Sequence, residues 1–247
     1  MFHLYANFVA IANVANTEVP ALADQVFTPR NNRLVPPEDL FIHAIHSTAV
    51  TLLRSRINTP YMRKYAPSFI NPIGTTLLPP TDPNMMDLRD NPLRLPKDEG
   101  LVYESTDSAA GPNNHYILTW LAKQLMPSPR GDIVTIRGTS TTAAVASAWT
   151  TVTVTWDTDV AGGWYEVIGG SYIATNAVAF RCLFEGQTYR PGGLGGAAAG
   201  VRPWLGQLKG GMGVWGRFRA TMMPGLEVLN DGTDNAHTFL LDCVKVP

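Results

Sequence analysis

The chain has 247 residues, of which 45% are hydrophobic and only 16% are charged, and its formal net charge is −1. This length can bury a substantial core in one large domain or two small ones. The near-neutral charge and the lack of a polybasic tail argue against a basic nucleic-acid-binding arm, and no apolar run approaches the ~18 residues of a membrane-spanning helix. A charged fraction below the usual ~25% is typical of proteins that cover much of their surface with partners, although a large β-protein rich in Thr, Ser and Ala has it too.

Residues 1–35 are predicted to form an extended amino-terminal arm. The stretch from Phe2 to Val14 is apolar and contains no turn that would pair it locally, so it is expected to run as a strand or arm. Ala21–Ala23 imitates a signal-peptidase site. No positive charge precedes it, however, and Glu18 lies just before it, so no signal peptide is predicted.

Residues 36–130 are predicted to form one helix-containing, proline-rich segment. Apolar and small residues recur at helical spacing over 36–56, which predicts a helix there. The β-branched run at 47–51 favours the alternative, a strand pair within a first β-barrel. A second short helix is predicted over 113–125, because its apolar residues share one face and Pro127 ends it.

Eight prolines lie between residues 58 and 98. Each fixes φ and removes a backbone donor, so this part is predicted to be ordered, extended chain without regular structure. Segments of this kind commonly lie across the surface of a neighbouring subunit.

Residues 131–247 are predicted to form an antiparallel β-sandwich. Short strand-like runs alternate there with turn residues, and no internal repeat is visible. The run at 150–156 alternates strictly, which predicts Val152, Val154 and Trp156 on the buried face and the intervening threonines on the exposed face.

The histidines and cysteines do not form a recognisable metal or redox motif. His43 and His46 are three residues apart and would share a helix face, but no third ligand lies near them in sequence. Cys182 and Cys243 sit in strand-like runs, and the favoured interpretation is two buried free thiols. Whether they pair with each other is left open.

Three loops contain residue types that occur in ligand-binding loops, and each is explained by ordinary turn or loop structure. The carboxylates at 231–235 and 157–159 are too few for a calcium loop and suit tight turns. The glycine-rich stretch at 191–200 lacks the residues of a phosphate or dinucleotide loop, so it is predicted to be a flexible surface loop. No nucleophile motif is present. We therefore predict no catalytic, cofactor-binding or metal-binding residue and no enzymatic activity.

One charge asymmetry remains, within the acid-free stretch from residue 40 to residue 81. It contains Arg54, Arg56, Arg63 and Lys64, which could face a polyanion such as a genome. The alternative is that these charges only solvate a helix end and the following loop.

The overall plan resembles the jelly-roll capsid proteins of tailless icosahedral viruses, and the missing basic arm favours phages with DNA genomes. The features that carry the resemblance are the extended arm at 2–14, the winding proline-rich segment at 58–98, the short helix at 113–125 and the strand series from Gly131. The resemblance implies a mainly β fold, an antiparallel β-sandwich of jelly-roll type with one or two short helices. Family members contain either one jelly roll or two jelly rolls per chain, and both remain open here.

The resemblance also implies a function. The chain would be a structural protein of the virion, assembled in the host cytoplasm from copies of itself, together with other capsid proteins in some cases. It would need no cofactor and would touch nucleic acid only weakly and without specificity. The main alternative is a carbohydrate-binding or adhesive β-sandwich, such as a spike or tail component, that exposes some of the six tryptophans. A hydrolase with a scattered active site is the third class.

Overall fold

The computed structural model describes residues 2–11, 18–20, 35–48, 52–57, 69–70, 85–101, 103–107, 113–157, 159–196 and 211–247. In these ranges the chain consists of β-strands and their connections, and none of these residues lies in a helix. Accordingly, the described part contains no helix of the length and apolarity that a membrane crossing requires. The chain divides into an amino-terminal unit, Tyr5–Lys123, and a carboxy-terminal unit made of Met1–Leu4 and Gln124–Pro247.

The amino-terminal unit is a sandwich of two sheets, and its first strand begins two residues before the unit does. Its strands are β1 (His3–Ile11), β2 (Glu18–Pro20), β3 (Leu40–Thr48), β4 (Leu52–Ile57), β5 (Phe69–Ile70), β6 (Met85–Asp87), β7 (Leu93–Leu95), β8 (Tyr103–Asp107) and β9 (Asn113–Ala122). One sheet has the order β1-β9-β3-β6, with β7 also pairing with β3, and the other has the order β2-β8-β4-β5.

The core of the amino-terminal unit lies between these two sheets. Ile42, Ile45 and Leu121 come from the first sheet, and Ile57 and Tyr103 come from the second. The Tyr103 hydroxyl lies 2.8 Å from Thr119 Oγ1, which gives this buried phenol a hydrogen-bond partner on the opposite sheet.

The carboxy-terminal unit contains one continuous, folded-over sheet. Its strands are β10 (Ile133–Ser140), β11 (Thr150–Val152), β12 (Thr155–Trp156), β13 (Trp164–Ile173), β14 (Ala177–Leu183), β15 (Gly192–Gly196), β16 (Gly216–Arg219), β17 (Gly225–Asn230) and β18 (His237–Val246). Their order is β11-β17-β14-β15-β13-β18-β10-β12, and β16 pairs with β13. All of these pairings are antiparallel except that of β13 with β15.

The two units share one strand order. If the short strands β7 and β12 are set aside, the described residues of each unit form eight strands. The first lies beside the last, the last beside the third, and the third beside the sixth; the second lies beside the seventh, the seventh beside the fourth, and the fourth beside the fifth. The chain therefore repeats a topology that its sequence does not show as a repeat.

An aromatic cluster fills the carboxy-terminal unit. The rings of Tyr172 and Phe239 stack with centroids 5.1 Å apart, and Phe180 lies 5.8 Å from Trp215. Phe2, from the start of the chain, meets Trp215 edge-on at 5.6 Å and is fully buried. Aromatic pairs in such offset and edge-to-face arrangements add to the stabilisation that burial provides.

Both predicted helices are wrong. The stretch from residue 36 to residue 56 contains β3 and all but the last residue of β4, as the strand-pair alternative had it, and residues 113–122 form β9. The physical reason is burial on both faces: every residue over 42–46 and 116–122 is buried. Such a strand loses the period of two that marks a half-exposed strand, and its apolar run then satisfies a helical spacing equally well.

The alternation at 150–156 has the predicted faces, but the run is divided between two strands. Val152 is buried, Val154 and Trp156 are half-buried, and the threonines at 151, 153 and 155 are exposed. β11 pairs with β17, whereas β12 pairs with β10. Trp156 packs instead on Gly138, where a Cβ would lie 2.8 Å from the indole ring.

The glycine-rich stretch at 191–200 is not a flexible surface loop in its described part. Residues 192–196 are buried and form β15, which joins the two halves of the folded sheet by pairing with β14 and with β13. A Cβ on Gly192 would lie 2.0 Å from the Phe180 carbonyl oxygen, and one on Gly195 would lie 2.7 Å from Ala177 Cβ. The glycines are required because β15 runs so close to its neighbours.

Gly192→Ala is therefore expected to destabilise the chain by about 3 kcal/mol or more, because the clash is with backbone that cannot move aside. Gly225→Ala is the matched control, since its Cβ would meet its nearest neighbour at an ordinary 3.5 Å. Denaturant unfolding should show little change, or a small gain, for Gly225→Ala. Equal stability of the two variants would contradict the packing described for β15.

Candidate functional site

A buried charge cluster lies between β14 and β17 of the carboxy-terminal unit. Arg181 and Glu227 face each other across the two strands, and their side chains are 0% and 9% exposed. Arg181 Nε donates to Glu227 Oε2 at 3.2 Å, and Nη2 lies 3.0 Å from the same oxygen, an ion-pair distance without hydrogen-bond geometry. Arg190 donates from Nη1 to the other carboxylate oxygen at 2.7 Å. The Arg181 guanidinium also lies 3.6 Å from the centroid of the Trp149 ring.

This cluster holds the first residues of the chain. The Leu4 amide donates to the Arg190 carbonyl at 2.9 Å, and Arg181 Nη1 lies 3.5 Å from the Leu4 carbonyl oxygen. Phe2 and Leu4 are fully buried. The described residues of the predicted arm are thus bound within the chain, at its start by a buried arginine and further on as strands β1 and β2.

His3 is the titratable part of this arrangement. Its Nδ1 accepts a hydrogen bond from the Arg190 amide at 3.3 Å, and its ring stacks on Tyr189 at 4.8 Å. Burial, followed by the positive charges of Arg181 and Arg190, lowers the pKa of His3 to about 4. The imidazole is therefore neutral at pH 7 and acts as an acceptor.

A second polar network organises the loop at 231–235. Asp234 accepts from Asn230 Nδ2 at 2.7 Å and from the Asn176 amide at 2.8 Å, and Asn230 Oδ1 accepts from the Tyr172 hydroxyl at 2.7 Å. The same hydroxyl lies 2.8 Å from His237 Nδ1. Burial raises the pKa of Tyr172. Asp234 thus accepts hydrogen bonds from residues of its own unit, as turn chemistry predicts.

The other sequence candidates lie on strands. His43 and His46 are buried on β3, not on a helix face. In the described part of the chain, no group of three or more His, Cys, Asp or Glu side chains is placed to hold a metal ion. Cys182 and Cys243 are buried free thiols, and burial raises both thiol pKa values. The interpretation of the two cysteines is confirmed.

The predicted genome-facing residues are only partly within the described chain. Arg54 and Arg56 lie on β4, and Arg63 and Lys64 lie outside the described residues. β8 runs antiparallel beside β4 and places Glu104 opposite Arg56 in register. The stretch that is free of acids in sequence therefore has an acidic residue beside it in the sheet.

A cleft in the carboxy-terminal unit was missed in the sequence. It has a volume of about 380 Å³ and lies beside β16, where Arg217 and Arg219 point to solvent. Both guanidiniums lie over the Trp164 ring, at 4.8 and 4.7 Å from its centroid. The sequence did indicate the paired arginines, because Arg-Phe-Arg in a strand puts both arginines on one face. Of the remaining tryptophans, Trp120 and Trp215 are fully buried.

Comparisons with known proteins gave one structural likeness. No protein-family model matches the chain, and no curated protein matches it. Among solved structures, the chain is similar to the crystal structure of the major capsid protein P2 from bacteriophage PM2, with a TM-score of 0.26 and 10% sequence identity. The match covers 100% of this chain and 98% of that chain. The chain is mainly β, as the sequence predicted.

Stability is expected to fall as the pH drops from about 6.5 towards 4. Unfolded His3 takes up a proton near its ordinary pKa of 6.5, whereas folded His3 stays neutral down to about 4, so acid favours the unfolded state across this window. His3→Gln retains an acceptor but cannot titrate, and its unfolding midpoint should depend less steeply on pH between 7 and 4. Parallel pH profiles for the two proteins would contradict this role of His3.

Proposed function

We propose that this chain is a viral capsid protein built from two jelly-roll sandwiches, which assembles with copies of itself into an icosahedral shell around a genome. The observation that carries the proposal is the strand order that both units share. An eight-stranded double sheet in which the first strand lies beside the last and the second beside the seventh is the arrangement of a jelly roll, a fold used in viral capsids and in lectins.

The two-jelly-roll alternative gains support from the corrected first half. One jelly roll after residue 131 would leave residues 36–130 as helix and winding chain. The described strands of that segment instead pair with β1 and β2 into two sheets with a core of their own. A second unit with the same order follows from β10 onwards. Two units per chain therefore account for the structure better than one.

Composition and surface support self-association. Only 16% of the residues are charged, and several large apolar side chains of the carboxy-terminal unit are exposed, among them Ile133 at 50% and Met222 at 49%. Apolar groups left on a low-charge surface indicate contacts with partners. The partners proposed are further copies of this chain, alongside other capsid proteins, in a virion assembled in the host cytoplasm.

Contact with the genome is proposed to be weak. Arg54 and Arg56 on β4, with Arg63 and Lys64 beyond the described residues, remain the candidate positions. Glu104 beside Arg56 reduces the local positive charge, so a single subunit should hold nucleic acid poorly. Many subunits in a shell would multiply this weak attraction.

The adhesive alternative keeps one specific observation in its favour. Lectins also use jelly rolls, and the half-exposed Trp164 borders a cleft of a size that fits a small ligand. The absence of enzymatic activity stays a prediction.

Electron micrographs of the purified chain at micromolar concentration, together with its sedimentation profile, test the proposal. Closed particles or large defined oligomers are expected, because both the fold and the surface suit lateral assembly. Monomers that bind a glycan through the Trp164 cleft would favour the adhesive alternative. A monodisperse monomer over a range of salt and pH would contradict the capsid proposal.

A further inference from the structure

The cleft beside β16 combines two arginines and one glutamate, Glu185, with apolar walls. Arg217 and Arg219 line it, and Arg217 Nη2 donates to an oxygen of Pro247, the last residue, at 2.9 Å. Trp164, Phe184 and Met222 supply apolar surface. Trp and Arg in a desolvated pocket are the residues that dominate binding at protein interfaces.

A patch of complementary character lies at the start of β10. Asp132 is exposed and is followed by Ile133 and Val134, which are 50% and 38% exposed. β10 pairs with β18 on one side, but among the described strands its other side is covered only at Gly138 and Thr139, by β12. In this extended stretch Asp132 and Val134 point to one face and Ile133 to the other, at an edge that no other described strand covers.

Cleft and patch occupy opposite edges of one sheet at the same level. Ile133 lies opposite Val244, Val244 opposite Glu166, and Glu166 opposite Arg217 in the sheet register. Three strand spacings of about 4.8 Å each separate the two edges, so the patch of one copy cannot reach its own cleft. If a second copy lies beside the first with its strands aligned, the patch of one copy faces the cleft of the other without any shift along the strand direction.

We propose that residues 132–134 of one copy dock into the Trp164–Arg217–Arg219 cleft of the next. Asp132 pairs with the guanidiniums, and Val134, two residues on and therefore on the same face of the strand, covers the apolar wall. The contact is head-to-tail, so each copy keeps one free patch and one free cleft, and a chain of such contacts closes into a ring when the rotation between copies permits it. The inference rests on the proposed self-assembly and specifies one of its contacts.

Charge reversal and its rescue test this contact. Asp132→Lys, and separately the pair Arg217→Glu with Arg219→Glu, should each raise the subunit concentration needed for assembly by about tenfold or more. A variant with all three changes should recover much of the lost assembly, because its positive and negative charges have exchanged places. Asp159→Lys, a reversal at another exposed carboxylate, should leave assembly unchanged, and Arg130→Gln should not weaken it.

Disulfide trapping keeps the test decisive if a charge variant fails to fold. Asp132→Cys subunits mixed with Met222→Cys subunits should give covalent dimers under oxidation, and neither variant alone should do so; the native thiols are buried. The contact is overturned if Asp132→Lys behaves like Asp159→Lys, if the swap restores nothing, or if no mixed dimer forms. Wild-type chain that never assembles would count against the capsid proposal itself, whereas normal assembly of all variants would count against this contact alone.

Discussion

The structure depends on one buried cation. Arg181 is fully buried, and an unpaired guanidinium in that position would be prohibitively destabilising. Glu227, the Trp149 ring and the Leu4 carbonyl surround it from β17, the segment before β11 and the start of the chain. Arg190, in the segment before β15, pairs with the other oxygen of Glu227. Satisfying this charge therefore fixes several parts of the carboxy-terminal unit at once, including residues that are more than 170 positions away in sequence.

The same requirement explains the glycines of β15. Once β14 is held against β17 by the ion pair, the strand that closes the sheet must run beside Phe180 and Arg181 with no space for a Cβ at Gly192. β15 then pairs with β13, and the sheet folds over the aromatic cluster. Backbone proximity and buried charge thus act on the same three neighbouring strands, β14, β15 and β17.

Sequence reasoning recovered features that depend on local pattern and missed those that depend on distant partners. The mainly β character of the chain, the faces of Val152 and its neighbouring threonines, and the buried thiols followed from alternation and composition. β3 and β9 were mistaken for helices because burial on both faces erased their alternation. The repeated topology left no trace in sequence, since strand order is a long-range property.

The residues of the candidate site also divide into those with a local sequence signal and those without one. A lone arginine within Ala-Val-Ala-Phe-Arg-Cys-Leu-Phe, and a lone glutamate within Gly-Leu-Glu-Val-Leu, were the signals for the buried pair, because a charge in an apolar strand needs a partner. Pairing of β4 with β8, which sets Glu104 against Arg56, had no such signal. The position of Ile133 at the edge of the described strands also appeared only when the register of the sheet was known.

The role of the buried arginine is tested most directly by comparing the unfolding free energies of Arg181→Met and Arg137→Met and by measuring amide hydrogen exchange at Leu4 in both variants. Arg181→Met should lose about 3–5 kcal/mol, because Glu227 stays buried with half of its pairing gone, and the Leu4 amide should lose protection. Arg137 belongs to an exposed ion pair with Asp157, so Arg137→Met should lose less than ~1 kcal/mol and leave Leu4 protected. Equal, small losses with Leu4 still protected in both variants would contradict the claim that the buried arginine holds the fold and the start of the chain together.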